Sequence, residues 1–161
     1  MIPAQILNEV NERCTEGLAL ALASNDDGAV MELRWCNKAF TKITGYEADE
    51  AVGQRGTILI GKDMGQDTHL YIIEKLMDWE NFSIKFFNNR KNGDVYFQRM
   101  SWVHLTDAET GNHWWLCSII KLDDERLLPA VHEAVDPILT NPKTDSKVAD
   151  RIQRLEKENT R

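Results

Sequence analysis

The chain is short of cysteine pairs, of long apolar runs and of basic charge, and each shortage excludes something. Among 161 residues there are three cysteines, Cys14, Cys36 and Cys117. They are odd in number, widely spaced and without a CxxC, which argues against a disulfide framework and against a zinc site. No apolar run approaches the roughly 20 residues that a membrane span needs. The N-terminus has neither the basic region nor the apolar core of a signal peptide, so a cytoplasmic protein with no membrane partner is expected. With 19 basic against 26 acidic residues, the net charge is −7. That balance argues against a nucleic-acid partner gripped through a broad basic surface. No P-loop, HExxH or G-x-S-x-G motif is found, so no enzymatic activity is expected.

What is present reads as one domain with helical ends. Pro3 suits a helix start, and Ile6, Val10 and Cys14 recur every four residues up to Gly17. Leu18–Ser24 reads as a strand, Asn25–Ala29 as a hairpin turn, and Val30–Cys36 as the returning strand. "NKAFTKITGY" gives a short helix closed by Gly45, and Asp49–Ala51 starts another turn. Asp67–Trp79 is a helix with Asp67 as its N-cap and Leu70, Ile73 and Leu76 or Met77 on one face. Three strands follow. Phe82–Asn89 leads through an Asn92-Gly93 turn to Asp94–Leu105, and Trp114–Lys121 comes last. In the middle one, Tyr96, Gln98, Met100, Trp102 and His104 share a face. The last is apolar on both faces, which implies cover on both. The tail has helical spacing at Leu127, Leu128, Val131 and Val135, and again at Val148, Ile152 and Leu155. Strands that surround a helical insert imply an α+β layer.

Three features together, "NKAFTKITGYEADEAVGQ", "NNRKNGDVYF" and the strand spacing, carry a family likeness. From about Leu18 to Leu122 the chain resembles PAS domains of the LOV photoreceptor type, and among them the short bacterial LOV proteins. The resemblance implies a PAS fold: a five-stranded antiparallel sheet with short helices on one face. It divides the chain into an N-terminal helical cap (1–17), a core (18–122) and a C-terminal helical extension (123–161). A LOV domain binds flavin mononucleotide and forms a cysteine–flavin adduct in blue light, with the motif G-R-N-C-R-F-L-Q-G. Here the matching stretch is Gly53–Gly61, and Gly56 stands at the cysteine. Arg55 replaces the asparagine and Ile60 the glutamine. Asn88 keeps one flavin-edge asparagine and Gln98 replaces the second. Ile120 stands where the last-strand glutamine would be. The stretch "THLYIIEKL" holds no arginine for the phosphate, only Lys75.

The resemblance therefore implies a non-catalytic signalling module without the usual photochemistry, because the nucleophile is missing. Its pocket residues would be Asn88, Gln98, Arg55, Gly56, Ile60 and Ile120, holding flavin mononucleotide non-covalently. Two alternatives stay open at this point. One is a ligand-free interaction domain with an unidentified protein partner. The other is a haem sensor with His69 as the iron ligand, since some PAS domains carry a haem histidine on this helix. A homodimer is expected through Ile6, Val10 and Cys14, an outward stripe of Trp115, Cys117 and Ile119, and Leu127, Val131 and Val135 of the tail.

Overall fold

The computed structural model describes residues 3–122. In chain order they form α1 (Ala4–Arg13), β1 (Gly17–Ser24), β2 (Asp27–Cys36), α2 (Lys38–Thr44) and α3 (Ala48–Ala51). A single 3-10 turn (Gly56–Leu59), α4 (Gln66–Met77), β3 (Phe82–Asn89), β4 (Val95–Thr106) and β5 (His113–Lys121) follow. The tail segments expected to be helical lie outside the described residues.

Local chemistry sets most boundaries. Asn37 caps α2: its Oδ1 accepts from Phe40 N at 2.9 Å and from Leu18 N at 2.8 Å, and its Nδ2 donates to Glu16 O at 2.9 Å. One buried amide thus starts a helix and anchors the edge of β1. Gly45, at φ 81, ends α2 as expected. Two expectations move. Gly17 begins β1 rather than ending α1, because a Cβ there would lie 3.0 Å from Phe40 Cα. The cap of α4 is Gly65, at φ 84, and Asp67 sits inside the first turn. There its charge still meets the positive end of the helix.

The sheet order is β2-β1-β5-β4-β3, antiparallel throughout, with β5 central. The helices between Lys38 and Met77 cover one face and build the core there with Ala19, Ala21, Met100, Trp102 and Trp115. Alanines on β1 leave room for Phe40 of α2, which is fully buried.

Registration corrects the facing of β5. Trp115 pairs with His104, Cys117 with Trp102 and Ile119 with Met100, so these residues line the covered face and are at most 1% exposed. They form no outward stripe. Ile120 pairs with Arg99 and faces away, so it does not belong to the interior. The outer face instead carries two apolar rows across β1, β5 and β4, Leu22–Trp114–Leu105 and Leu20–Leu116–Val103. A mixed row, Leu18 followed by Ser118, Ser101 and Ser83, lies beside them.

Candidate functional site

The interior between sheet and helices is where a PAS-type pocket would lie. Among the described residues, a cavity there measures about 30 Å³ and is bounded by Met31, Gly56, Ile60, Met64, Met100 and Trp102, with α4 as its roof. That is room for about one water molecule. Gly56 touches the side chain that fills the space: a Cβ there would lie 2.8 Å from Met31 Cγ and 3.0 Å from Met31 Sδ. Gly56 and Ile60 line this cavity together. Met31 was not singled out in the sequence, where a methionine in a strand reads only as core.

Asn88 and Gln98 sit on neighbouring strands, both buried and both on the covered face, but their situations differ. Asn88 Oδ1 accepts from Gly61 N at 2.8 Å and from Asn89 N at 2.9 Å, and its Nδ2 donates to Leu59 O at 2.9 Å. Both amide atoms are engaged in holding the loop after the 3-10 turn against β3. This explains Gly61, whose Cβ would lie 2.3 Å from Asn88 Oδ1. Gln98 is 0% exposed, and neither its Oε1 nor its Nε2 has a protein partner. The indole Nε1 of Trp102, four residues along on the same face, is likewise unpaired and buried. Those three atoms are the buried side-chain polar atoms left unsatisfied among the described residues.

The remaining candidates lie elsewhere. Arg55 is exposed beside an open groove with Gly53, Gln54, Thr57 and Ile58, and its backbone bridges Glu32. His69, in the first turns of α4, lines a separate surface groove with Gly61, Lys62 and Gln66, and not the interior cavity. All three cysteines are free. Burial raises the pKa of both Cys36 and Cys117, so these thiols stay protonated and unreactive. Burial also pushes Tyr96 up to about 12, leaving a neutral phenol under the Arg90 guanidinium, 5.3 Å from the ring centroid.

At the far end of the same face, Trp79, His104, His113 and Trp115 form an aromatic cluster. Trp79 lies 4.6 Å from His104, 4.7 Å from His113 and 5.7 Å from Trp115, between ring centroids. Trp115 Nε1 donates to Gly28 O at 2.9 Å. Gly28 itself presses on α4, where a Cβ would lie 2.1 Å from Leu76 O. The sequence places His104 on the face of β4 that carries Gln98 and Trp102, and does not single out His113.

The PAS domain family model matches residues 16–123. The chain belongs to the PAS domain family. This PAS domain is 34% identical over 80 residues to a blue-light-activated histidine kinase of Brucella anthropi, a match that covers 48% of this chain and 15% of that protein. It thus spans a small part of that relative. Solved structures show the same fold and are of LOV type. One is a light-oxygen-voltage domain studied with a flavin analogue (TM-score 0.66, 16% identity, 83% of this chain and 96% of that one). Another is the LOV domain of the Erythrobacter litoralis blue-light-activated histidine kinase (0.58, 19% identity, 68% and 98%). Among the described residues, no helix is long and apolar enough to cross a membrane.

Proposed function

We propose that this PAS domain is a non-catalytic signalling module that acts through its protein surface, without cysteine–flavin chemistry. The observation that carries the reading is the contact between Gly56 and Met31: the nucleophile's place has no thiol, and a core side chain fills the space in front of it. A flavin does not fit the side chains as they stand. Ligand pockets run to about 300 Å³ and more, against about 30 Å³ here. Asn88 has no free amide atom for a ring edge. No arginine of α4 awaits a phosphate, and Arg55 lies in the outer groove. Haem fits less well still, since His69 does not line the cavity. One observation supports a second reading, a small planar ligand admitted when Met31 and Met64 swing aside. It is the pair of orphaned polar groups on the inner face of β4, the amide of Gln98 and the indole N–H of Trp102.

The surface that serves this function is the outer sheet face, and its occupant is a second copy of the chain. Val103 and Leu105 are among the exposed large apolar side chains, and the rows they belong to continue through Leu116, Trp114, Leu20 and Leu22. Ile6 and Val10 on α1 are also exposed and offer a narrow stripe of their own. The acid excess makes nucleic acid and anionic membrane poor partners for this module. Sedimentation at tens of micromolar tests the dimer. The parent should sediment as a dimer and Leu116→Glu as a folded monomer. A monomeric parent would reject the proposal.

A further inference from the structure

We propose that His104 and His113 form a two-imidazole site for a tetragonal transition-metal cation, Cu2+ or Ni2+. The site stands at the opposite end of the inner face of β4 from Gln98. His104 Nε2 and His113 Nδ1 face one another at 2.9 Å. With metal–nitrogen bonds of about 2.05 Å, that separation subtends roughly 90° at a shared metal, the angle of adjacent ligands in a square plane. A tetrahedral zinc ion would need the nitrogens further apart.

The surroundings hold the pair in place. The two residues come from antiparallel neighbours, with His104 opposite Trp115 and His113 opposite Thr106. The backbone N–H of His104 donates to Asn81 Oδ1 at 2.7 Å, which fixes this part of β4 against the start of β3. Trp79 covers both imidazoles. It is the one non-glycine among the described residues in the left-handed region, at φ 57, an uncommon conformation for a bulky side chain. Hydrogen bonds from Trp79 N to Leu76 O and from Glu80 N to Lys75 O hold the chain there. Both histidines are half-buried.

The chemistry is that of neutral imidazoles. Each neutral imidazole has one ring-nitrogen lone pair to offer the cation. One imidazole donates the hydrogen bond in the empty pair. On metal binding its proton moves through solvent to its other ring nitrogen, so two Nε2/Nδ1 lone pairs meet the cation with no net proton change. No third His, Cys, Asp or Glu among the described residues joins the pair. Water fills the remaining positions, and hard cations that demand oxygen ligands are not held.

Ni2+ is the probe, titrated into the full chain with two readouts. Ni2+ should quench tryptophan fluorescence through Trp79 and Trp115. In NMR spectra of the parent it should broaden the imidazole signals of His104 and His113 and the indole signal of Trp79 before any other. His104→Asn and His113→Asn should each weaken binding by more than about 10-fold, the loss typical of removing even an outer-shell partner. His69→Asn should bind Ni2+ as the parent does. Broadening that starts elsewhere, or no binding up to millimolar Ni2+, would overturn the proposal. So would equal affinity in folded His104→Asn and His113→Asn chains.

Discussion

Two buried amides on adjacent strands, Asn88 on β3 and Gln98 on β4, face the same interior. Asn88 uses both ends of its amide on Leu59, Gly61 and Asn89. Gln98, equally out of water, uses neither end. A family likeness assigns both residues the same task, yet one has become a structural clamp and the other an unpaired polar group. A buried amide that pairs with backbone stabilises a loop, and one that pairs with nothing costs stability unless something else arrives to meet it. The β3 wall of the interior is committed to the fold, and the β4 wall is not.

The contrast can be broken from either side. Asn88→Leu should have the largest effect, a loss of about 2–4 kcal/mol in urea unfolding, because it strands Leu59 O and Gly61 N out of water. A loss under about 0.5 kcal/mol would mean that water reaches those groups and the clamp is unimportant. Gly56→Cys comes next, at about 1–3 kcal/mol, since its Cβ meets Met31 and overpacks the core. Adding Met31→Ala should return much of that loss. If the single variant matches the parent, the cavity is larger than about 30 Å³. Gln98→Leu should act in the opposite direction to Asn88→Leu, stabilising by about 1 kcal/mol, because it removes an orphaned amide without changing the volume much. Destabilisation by a similar amount would show that the amide has a partner in solution.

The smallest effect concerns pH. The folded-state pKa of His104 is lowered from 6.5 by desolvation and by His113. The unfolded chain therefore takes up a proton that the folded chain refuses. Stability should decline gently as pH falls from about 6.5, and flatten once the folded-state value is passed. His104→Asn should remove that slope in thermal melts between pH 7 and 5, above the range in which carboxylates such as Asp107 begin to protonate.

Much of the fold was legible because alternation has a phase when only one face is apolar. Phe82–Asn89 was read with its true ends, and β4 showed its inner face through Tyr96, Gln98, Met100 and Trp102. β5 offered no phase: Trp114 and Trp115, or Ile119 and Ile120, are equally apolar, and only registration against β4 shows which face is covered. With no phase to read, the family resemblance put Ile120 inside, and strand parity then put Trp115, Cys117 and Ile119 outside. Trp115→Glu should unfold the domain, since it forces a charge into a fully buried site, whereas Leu116→Glu, next in sequence, touches only the outer face. Within the site, Gly56, Asn88 and Gln98 could be found by motif. Their hydrogen-bond partners could not, because Leu59 O, Gly61 N and the side chain of Met31 reach them only through the tertiary fold. Gly17 read as a helix end and Gly28 as a turn residue, and the structure shows both, with Gly61, as points of close approach.

The central claim is that the interior is filled by the protein's own side chains and the domain signals without a bound chromophore. The absorption spectrum of the purified full chain tests it most directly. The account predicts the tryptophan and tyrosine band near 280 nm alone, unchanged after incubation with excess flavin mononucleotide or haemin and removal of the free compound. A retained blue-absorbing flavin band or a Soret band, at one chromophore per chain, would contradict it.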